Sequence, residues 1–269
     1  IYIIMILNKI KTTAICATLL AAISCTSDFN ETNTNPTGIT AKDLEQDFNH
    51  VKVPFTTVFT GIFNTTHWKY QLQQNLNADI WSGYMATPTP FKGAAGDNSN
   101  YNFVDGWNGF IWSLPYTDVM ANTLKIEQRT KGKYDQFYAI SLILKVEGMH
   151  RVTDVFGPIV YSQFGTTDAT IPYDSQEEVY TKMFSELDFA VAELTKRVNA
   201  GEATTFASTD MSGYGGDYKQ WVKYANSLRL RLAMRIVKIK PALAKTEAEK
   251  AISQSFGVLT TNADIAKVI

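Results

Sequence analysis

Cysteine is nearly absent from this chain: its 269 residues include two, Cys16 and Cys25, both within the first 25 positions. The remainder therefore has neither a disulfide framework nor a thiolate metal site. Histidine is scarce too, and His50, His67 and His150 lie far apart with no HExxH or i,i+4 pair that could hold zinc. No charge of one sign dominates. Lys and Arg number 25 against 26 Asp and Glu, a net charge of −1, so there is no basic field to draw nucleic acid. No apolar run reaches the roughly 20 residues that a helix needs to cross a bilayer. GxGxxG, Walker A and GxSxG patterns are missing, and Asp210 to Asp217 lacks the full ligand series of an EF-hand. No cofactor is expected. Asp79, Asp105, Asp154 and Asp174 supply acids, but no motif pairs two carboxylates as glycoside hydrolysis requires, so no enzyme activity is expected.

What is present begins with an address. Taking Met5 as the start, Lys9 and Lys11 form a short basic region and Thr12 to Ile23 an apolar run, closed by Ala22-Ile23-Ser24-Cys25. This is the pattern of a bacterial signal peptide over residues 1–24, and a cysteine after a small residue at its end resembles a lipobox. Cys25 would then be the lipidated first residue of the mature chain; an ordinary secretory signal with an incidental cysteine is the other reading. Removing the two lysines with the leader lowers the net charge to −3. Thr26 to Thr40, rich in Thr, Asn and Asp with Pro36 and Gly38, has no apolar periodicity and is expected to be an extended tether within residues 25–43.

From there the hydrophobic content of 45% and an aromatic content of 12% support a packed body, and its periodicity is helical. Helices are predicted over Leu44 to about Thr60, Thr66 to Tyr84, Trp107 to Arg129, Tyr134 to Thr153, Gln176 to Val198, Tyr218 to Lys238 and near Thr246 to Ser255. No segment shows a sustained strand pattern. In the clearest helix Tyr180, Phe184, Leu187, Val191, Leu194 and Val198 recur at three- and four-residue steps, and Ser175 with Glu178 forms a capping box. The stripe Tyr134, Phe137, Tyr138, Leu142, Lys145, Met149 is expected to pack against it, with Gly148 admitting a neighbouring backbone. Tyr218 to Lys238 carries Arg229, Arg231 and Arg235 around an apolar face. It reads as a core helix whose arginines pair with carboxylates of its neighbours rather than as a basic binding helix. No residue-level repeat is visible.

Several segments then coincide. Asp28-Phe29-Asn30-Glu31-Thr32-Asn33-Thr34-Asn35-Pro36 after the candidate lipobox, Val152-Thr153-Asp154-Val155-Phe156-Gly157-Pro158-Ile159-Val160-Tyr161, Tyr173 to Tyr180, and Trp221 to Arg235 together resemble SusD/RagB-type outer-membrane lipoproteins of Bacteroidetes. Pro158-Ile159-Val160 departs from the family's more usual valine before proline. The resemblance implies an all-α fold of tetratricopeptide-like helix pairs in a right-handed superhelix with long irregular loops. Residues 44–269 would be the N-terminal part of a domain about twice as long. It also implies a nutrient-binding lipoprotein, most often for a glycan, seated on a SusC-like TonB-dependent transporter, with no catalytic chemistry. A helical-repeat scaffold that binds protein partners in the envelope is the alternative.

Sugar rings present apolar C–H faces that aromatic side chains can stack on, with amides and carboxylates nearby to bond the hydroxyls. Trp81, Tyr84, Asn98, Asn100, Tyr101, Asn102, Asp105, Trp107 and Asn108 crowd a segment that also holds Gly83, Pro88, Pro90, Gly93 and Gly96. From these, Trp81, Tyr84, Asn100, Tyr101, Asp105 and Trp107 are the candidate ligand residues, although each ring could instead anchor its own loop or helix end. Trp68, Trp112 and Trp221 fall in helical patterns and are expected in the core. Met211 to Tyr218, with Tyr214 and three glycines, reads as a flexible connection.

Overall fold

The computed structural model describes residues 28–35, 38–64, 66–89 and 98–268, with a few isolated positions before residue 12. Cys25 and the glycine-rich stretch around Gly93 and Gly96 lie outside the described residues. Two compact units are present, Ile1–Gln46 and Asp47–Ile269. In the first, the stretch expected to be extended contains a helical turn, α1 (Phe29–Asn33), where the Asn33 amide donates to the Phe29 carbonyl at 2.7 Å. A second short helix, α2 (Ala41–Glu45), starts at a Thr40/Asp43 capping box.

The second unit is helical, and among its described residues extended pairing is confined to isolated bridges, one of them between Ile159 and Asp174. The helix expected from Leu44 is broken at Asp47 and Phe48, both at positive φ, and resumes as α3 (Asn49–Ile62). The break lays the Phe48 ring on Phe137, centroids 4.4 Å apart, a tertiary contact that outweighs local propensity. Inside α3, Pro54 has no N–H for the His50 carbonyl, and the Arg129 guanidinium donates to that oxygen instead.

The segment predicted as one helix over Thr66 to Tyr84 is three pieces: α4 (His67–Tyr70), a π-turn (Gln71–Asn75) and α5 (Ala78–Trp81). Buried Asn77 causes the interruption, since its amide donates to the Leu72 carbonyl at 2.5 Å and so competes with the backbone ladder. Next come α6 (Asp105–Leu114), a π-turn (Pro115–Met120) and α7 (Ala121–Thr130) in one run, the π-turn falling where Pro115 lacks a donor. Gly61 lets α3 approach this turn, because a Cβ there would stand 2.6 Å from the Asp118 Cβ.

Helix α8 (Asp135–Phe156) is the axis of the unit, buried on nearly all sides rather than along one stripe. Successive helices α9 (Gln176–Asn199), α10 (Tyr218–Ile236) and α11 (Pro241–Ser253) pack side by side from it, α9 against α8 as expected. The last of these begins five residues earlier than the periodicity indicated, with Pro241 in its first turn. Gly148 admits the side chain of Val119, 3.0 Å from where a Cβ would sit, rather than a backbone. Phe55, Phe137, Phe206 and Trp221 interlock edge to face at the centre, with Phe55 and Phe206 centroids 4.9 Å apart.

The motif residues turn out to be the stitching between helix pairs. Ser175 and Glu178 form the expected capping box of α9. The Asp174 carboxylate accepts from the backbone N–H groups of Tyr161 and Ser162 and from the Ser162 hydroxyl, at 2.9, 2.8 and 2.5 Å. Asp154 accepts from the Tyr180 hydroxyl and from Arg235, at 2.6 and 2.5 Å, which ties α8 to α9 and α10. Arg229 is buried against Glu247 of α11 and reaches Asp188 of α9 at 2.8 Å, so the basic helix is a core helix. Between α8 and α9, Lys145 and the Tyr161 hydroxyl both bond Glu186, at 2.8 and 2.5 Å.

The stretch read as a flexible connection is fixed. Asp210 accepts from Ser212, from the Gly216 N–H at 2.8 Å and from the buried Trp221 indole at 3.0 Å. A Cβ on Gly216 would lie 2.6 Å from the Ala207 nitrogen. Of the tryptophans expected in the core, Trp221 is fully buried and Trp112 partly so, but Trp68 is 39% exposed with its ring edge on Phe110.

Two outcomes follow. Glu247→Ala leaves Arg229 buried with only the exposed Asp188, and is expected to destabilise by about 3–5 kcal/mol in denaturant titrations, while Glu247→Leu combined with Arg229→Met costs far less. His150 is buried, with Nδ1 near the Val146 carbonyl and Nε2 unpartnered, and burial pushes its imidazole below the ordinary value of 6.5. The unfolded chain takes up this proton as pH falls through about 6.5 and the native imidazole does not, so stability drops below that pH. Urea midpoints at pH 7 and pH 5 are expected to lie closer together in His150→Gln than in the parent.

Candidate functional site

The candidate surface is built where α5, the turn before it and the start of α6 converge. Trp81 ends α5 and is partly buried, its indole Nε1 shielded from solvent. The Phe103 ring stands edge-on to it with centroids 5.8 Å apart, and Tyr101 stands edge-on to Phe103 at 6.4 Å. Three rings thus form a continuous row. Two of its members face solvent, Tyr101 at 72% and Phe103 at 53% exposure. Isolated exposed rings are unremarkable, but a contiguous row of them on an irregular loop is the composition of a ligand surface.

The backbone under the row is unusual. Asn98–Asn100 is a single 3-10 turn, followed by Tyr101 at φ +56, the left-handed region that a bulky side chain rarely enters. The Tyr101 N–H donates to the Asn98 carbonyl at 3.1 Å. Asn98 is buried, which removes it from the hydroxyl-binding groups: its amide serves the Leu76 carbonyl and the side chains of Asn77 and Asn108 instead.

The other candidates lie on the same short stretches of chain. Asn100 is exposed on the 3-10 turn, and Asp105 is exposed in the first turn of α6, where its charge also suits the positive end of the helix dipole. Trp107, in that same turn, is partly buried. Tyr84 follows the turn at Gly83 and is 89% exposed. The structure therefore brings Trp81 and Tyr101 together through Phe103, a residue that composition alone passed over; its position between two ring-bearing candidates was the available signal. Asp79 accepts from Gln74 and Asn75 at 2.7 and 2.8 Å and so holds the π-turn to α5. Among the described residues no group of His, Cys, Asp and Glu could hold a metal ion, and no helix is long and apolar enough to cross a membrane.

Curated protein sequences give no match. The family model for SusD-like proteins, the SusD and RagB outer membrane lipoproteins, matches residues 31–269. Among solved structures, a chitin-binding SusD homologue from Flavobacterium johnsoniae is 65% identical, with a TM-score of 0.78 over 82% of this chain and 46% of its own. A SusD homologue from Bacteroides vulgatus is 36% identical, with a TM-score of 0.74 over 83% of this chain and 46% of its own. One from Bacteroides uniformis is also 36% identical, with a TM-score of 0.69 over 81% and 44%. The chain spans about half the length of these solved relatives. Their all-α, tetratricopeptide-like fold is the helix-pair architecture described above. The chain belongs to the SusD-like family of SusD and RagB outer-membrane lipoproteins.

Proposed function

We propose that this protein is a cell-surface lipoprotein, anchored through a lipidated Cys25, that captures a chitin-type glycan and delivers it to a SusC-like TonB-dependent transporter. The observation that carries the reading is the Trp81–Phe103–Tyr101 row, exposed at Phe103 and Tyr101, in a chain 65% identical to a chitin-binding homologue. β-Linked N-acetylglucosamine offers flat apolar C–H faces for such rings, and each stacking contact contributes on the order of 1 kcal/mol. Tyr84 and Trp107 are assigned to the same platform. Asn100 and Asp105, both exposed, are assigned to bonding hydroxyl and acetamide groups. The role is binding, with no catalytic group assigned: Asp79 is held by Gln74 and Asn75, and Asp154 and Asp174 hold helices and turns together.

The alternative, a scaffold for protein partners, has one supporting observation. A groove of about 690 Å³ between the start of α9, the end of α10 and the start of α11 is lined by Met234, Ile239 and Leu243 with Arg231 beside them.

Affinity electrophoresis separates the readings. The whole protein, with Cys25→Ser, is expected to be retarded in gels containing glycol chitin, and a Trp81→Ala, Tyr101→Ala, Trp107→Ala variant that keeps its circular dichroism is expected to run freely. Retention in that variant places the site elsewhere, and no retardation of the parent on any glycan favours the scaffold. For the transporter, a tagged protein extracted from outer membranes in mild detergent is expected to co-purify a TonB-dependent transporter; recovery of the protein alone counts against delivery.

A further inference from the structure

We propose that Asn98 is the positioning residue of the glycan surface: its side chain holds the Asn98–Phe103 turn in the binding conformation before a glycan arrives. This rests on the reading that Trp81, Phe103 and Tyr101 contact the glycan. A carboxamide has two donor hydrogens and one acceptor oxygen. The Asn98 Nδ2 faces the Leu76 carbonyl at 2.5 Å, Asn108 Oδ1 at 3.1 Å and Asn77 Oδ1 at 3.2 Å, and its Oδ1 accepts from the Val104 N–H at 3.1 Å. Both hydrogens and the oxygen are used.

These partners sit on separate pieces of the site. Leu76 and Asn77 form the turn that launches α5 and so aims Trp81; Val104 caps α6; Asn108 lies in α6, one residue beyond Trp107. Between Asn98 and Val104 no side chain is buried, so the apolar burial that ordinarily orders a loop is missing there. The amide of Asn98, 1% exposed, and its carbonyl, which accepts from the Tyr101 N–H, supply order there. A bulky residue at φ +56 persists only where its surroundings over-determine it. Tyr101 is therefore displayed on a backbone already fixed, and stacking on a sugar costs it little further ordering.

The prediction is specific because Asn98 acts through Tyr101. Chitohexaose is titrated calorimetrically into the whole protein carrying Cys25→Ser, and into its Trp81→Ala, Asn98→Ala and Tyr101→Ala forms and the Asn98→Ala, Tyr101→Ala double variant. Asn98→Ala is expected to weaken binding about tenfold, and the double variant to bind no more than about twofold worse than Tyr101→Ala alone. Losses that simply multiply in the double variant would overturn the proposal, as would an unchanged Kd for a folded Asn98→Ala. If Asn98→Ala does not fold, Asn108→Ala takes its place in the same cycle. It removes one acceptor and is expected to weaken binding about threefold, and an unchanged Kd there overturns the proposal equally. A parent that binds while Trp81→Ala and Tyr101→Ala leave Kd unchanged refutes the assignment of the site itself, and positioning with it; a parent that does not bind chitohexaose refutes both.

Discussion

Helix α8 is surrounded, and most of the second unit is arranged by the need to satisfy a polar backbone and several polar side chains inside that enclosure. A helix hydrophobic on one side can choose its neighbour; one buried all round must be covered by α3 and α7 on one flank and by α9 and α10 on the other. Apart from the His150 Nε2, its buried polar side chains are answered locally or by a neighbour. Thr153 donates to the Gly157 carbonyl, Lys145 meets Glu186, and Glu147 meets Arg151 one turn on. Asp154, near its end, takes both Tyr180 and Arg235 and so fixes where α9 and α10 lie relative to one another. Leaving such groups unpaired in a low-dielectric interior costs more than the pairs themselves contribute, which is why these contacts specify one packing.

That rigid frame explains where binding chemistry can reside. The stacked helices α8 to α11 bury most of their aromatic residues in a core around Phe137, Phe206 and Trp221, leaving Phe156 and Phe189 partly exposed, and the buried rings are unavailable to a ligand. The segments around α4, α5 and the start of α6 are short, interrupted and held by asparagine side chains rather than by apolar burial. Rings on them stay at the surface. The division is physical: helix pairs gain stability from burial, and the irregular segment between them supplies exposed rings on hydrogen-bonded turns. The proposed glycan capture would need a firm platform with little to reorganise, and buried amides provide one without consuming exposed apolar faces.

Much of the body was legible from the chain alone. The α9 capping box, the α8–α9 pairing, the core character of α10 with its carboxylate-paired arginines, and the absence of strand patterns all rest on local spacing or on the chemistry of one residue type, and both survive folding. Less legible were the breaks at Phe48 and Asn77, the complete burial of α8 and the ordered loop around Asp210. Each depends on packing against distant residues or on a side chain that bonds the backbone or a neighbouring side chain, and periodicity carries neither. At the candidate surface, composition located the loop and named Trp81 and Tyr101. It could not separate Asn98, which is buried and holds the turn, from Asn100, which is exposed, because the two are identical in type and two positions apart. The sequence by itself determined the helical class, the family and the aromatic segment, since these follow from patterns within a short stretch. Only the tertiary structure decided which rings form one row, that Phe103 joins them and that Trp68 lies outside the core, because exposure is set by what packs against a residue rather than by its own chemistry.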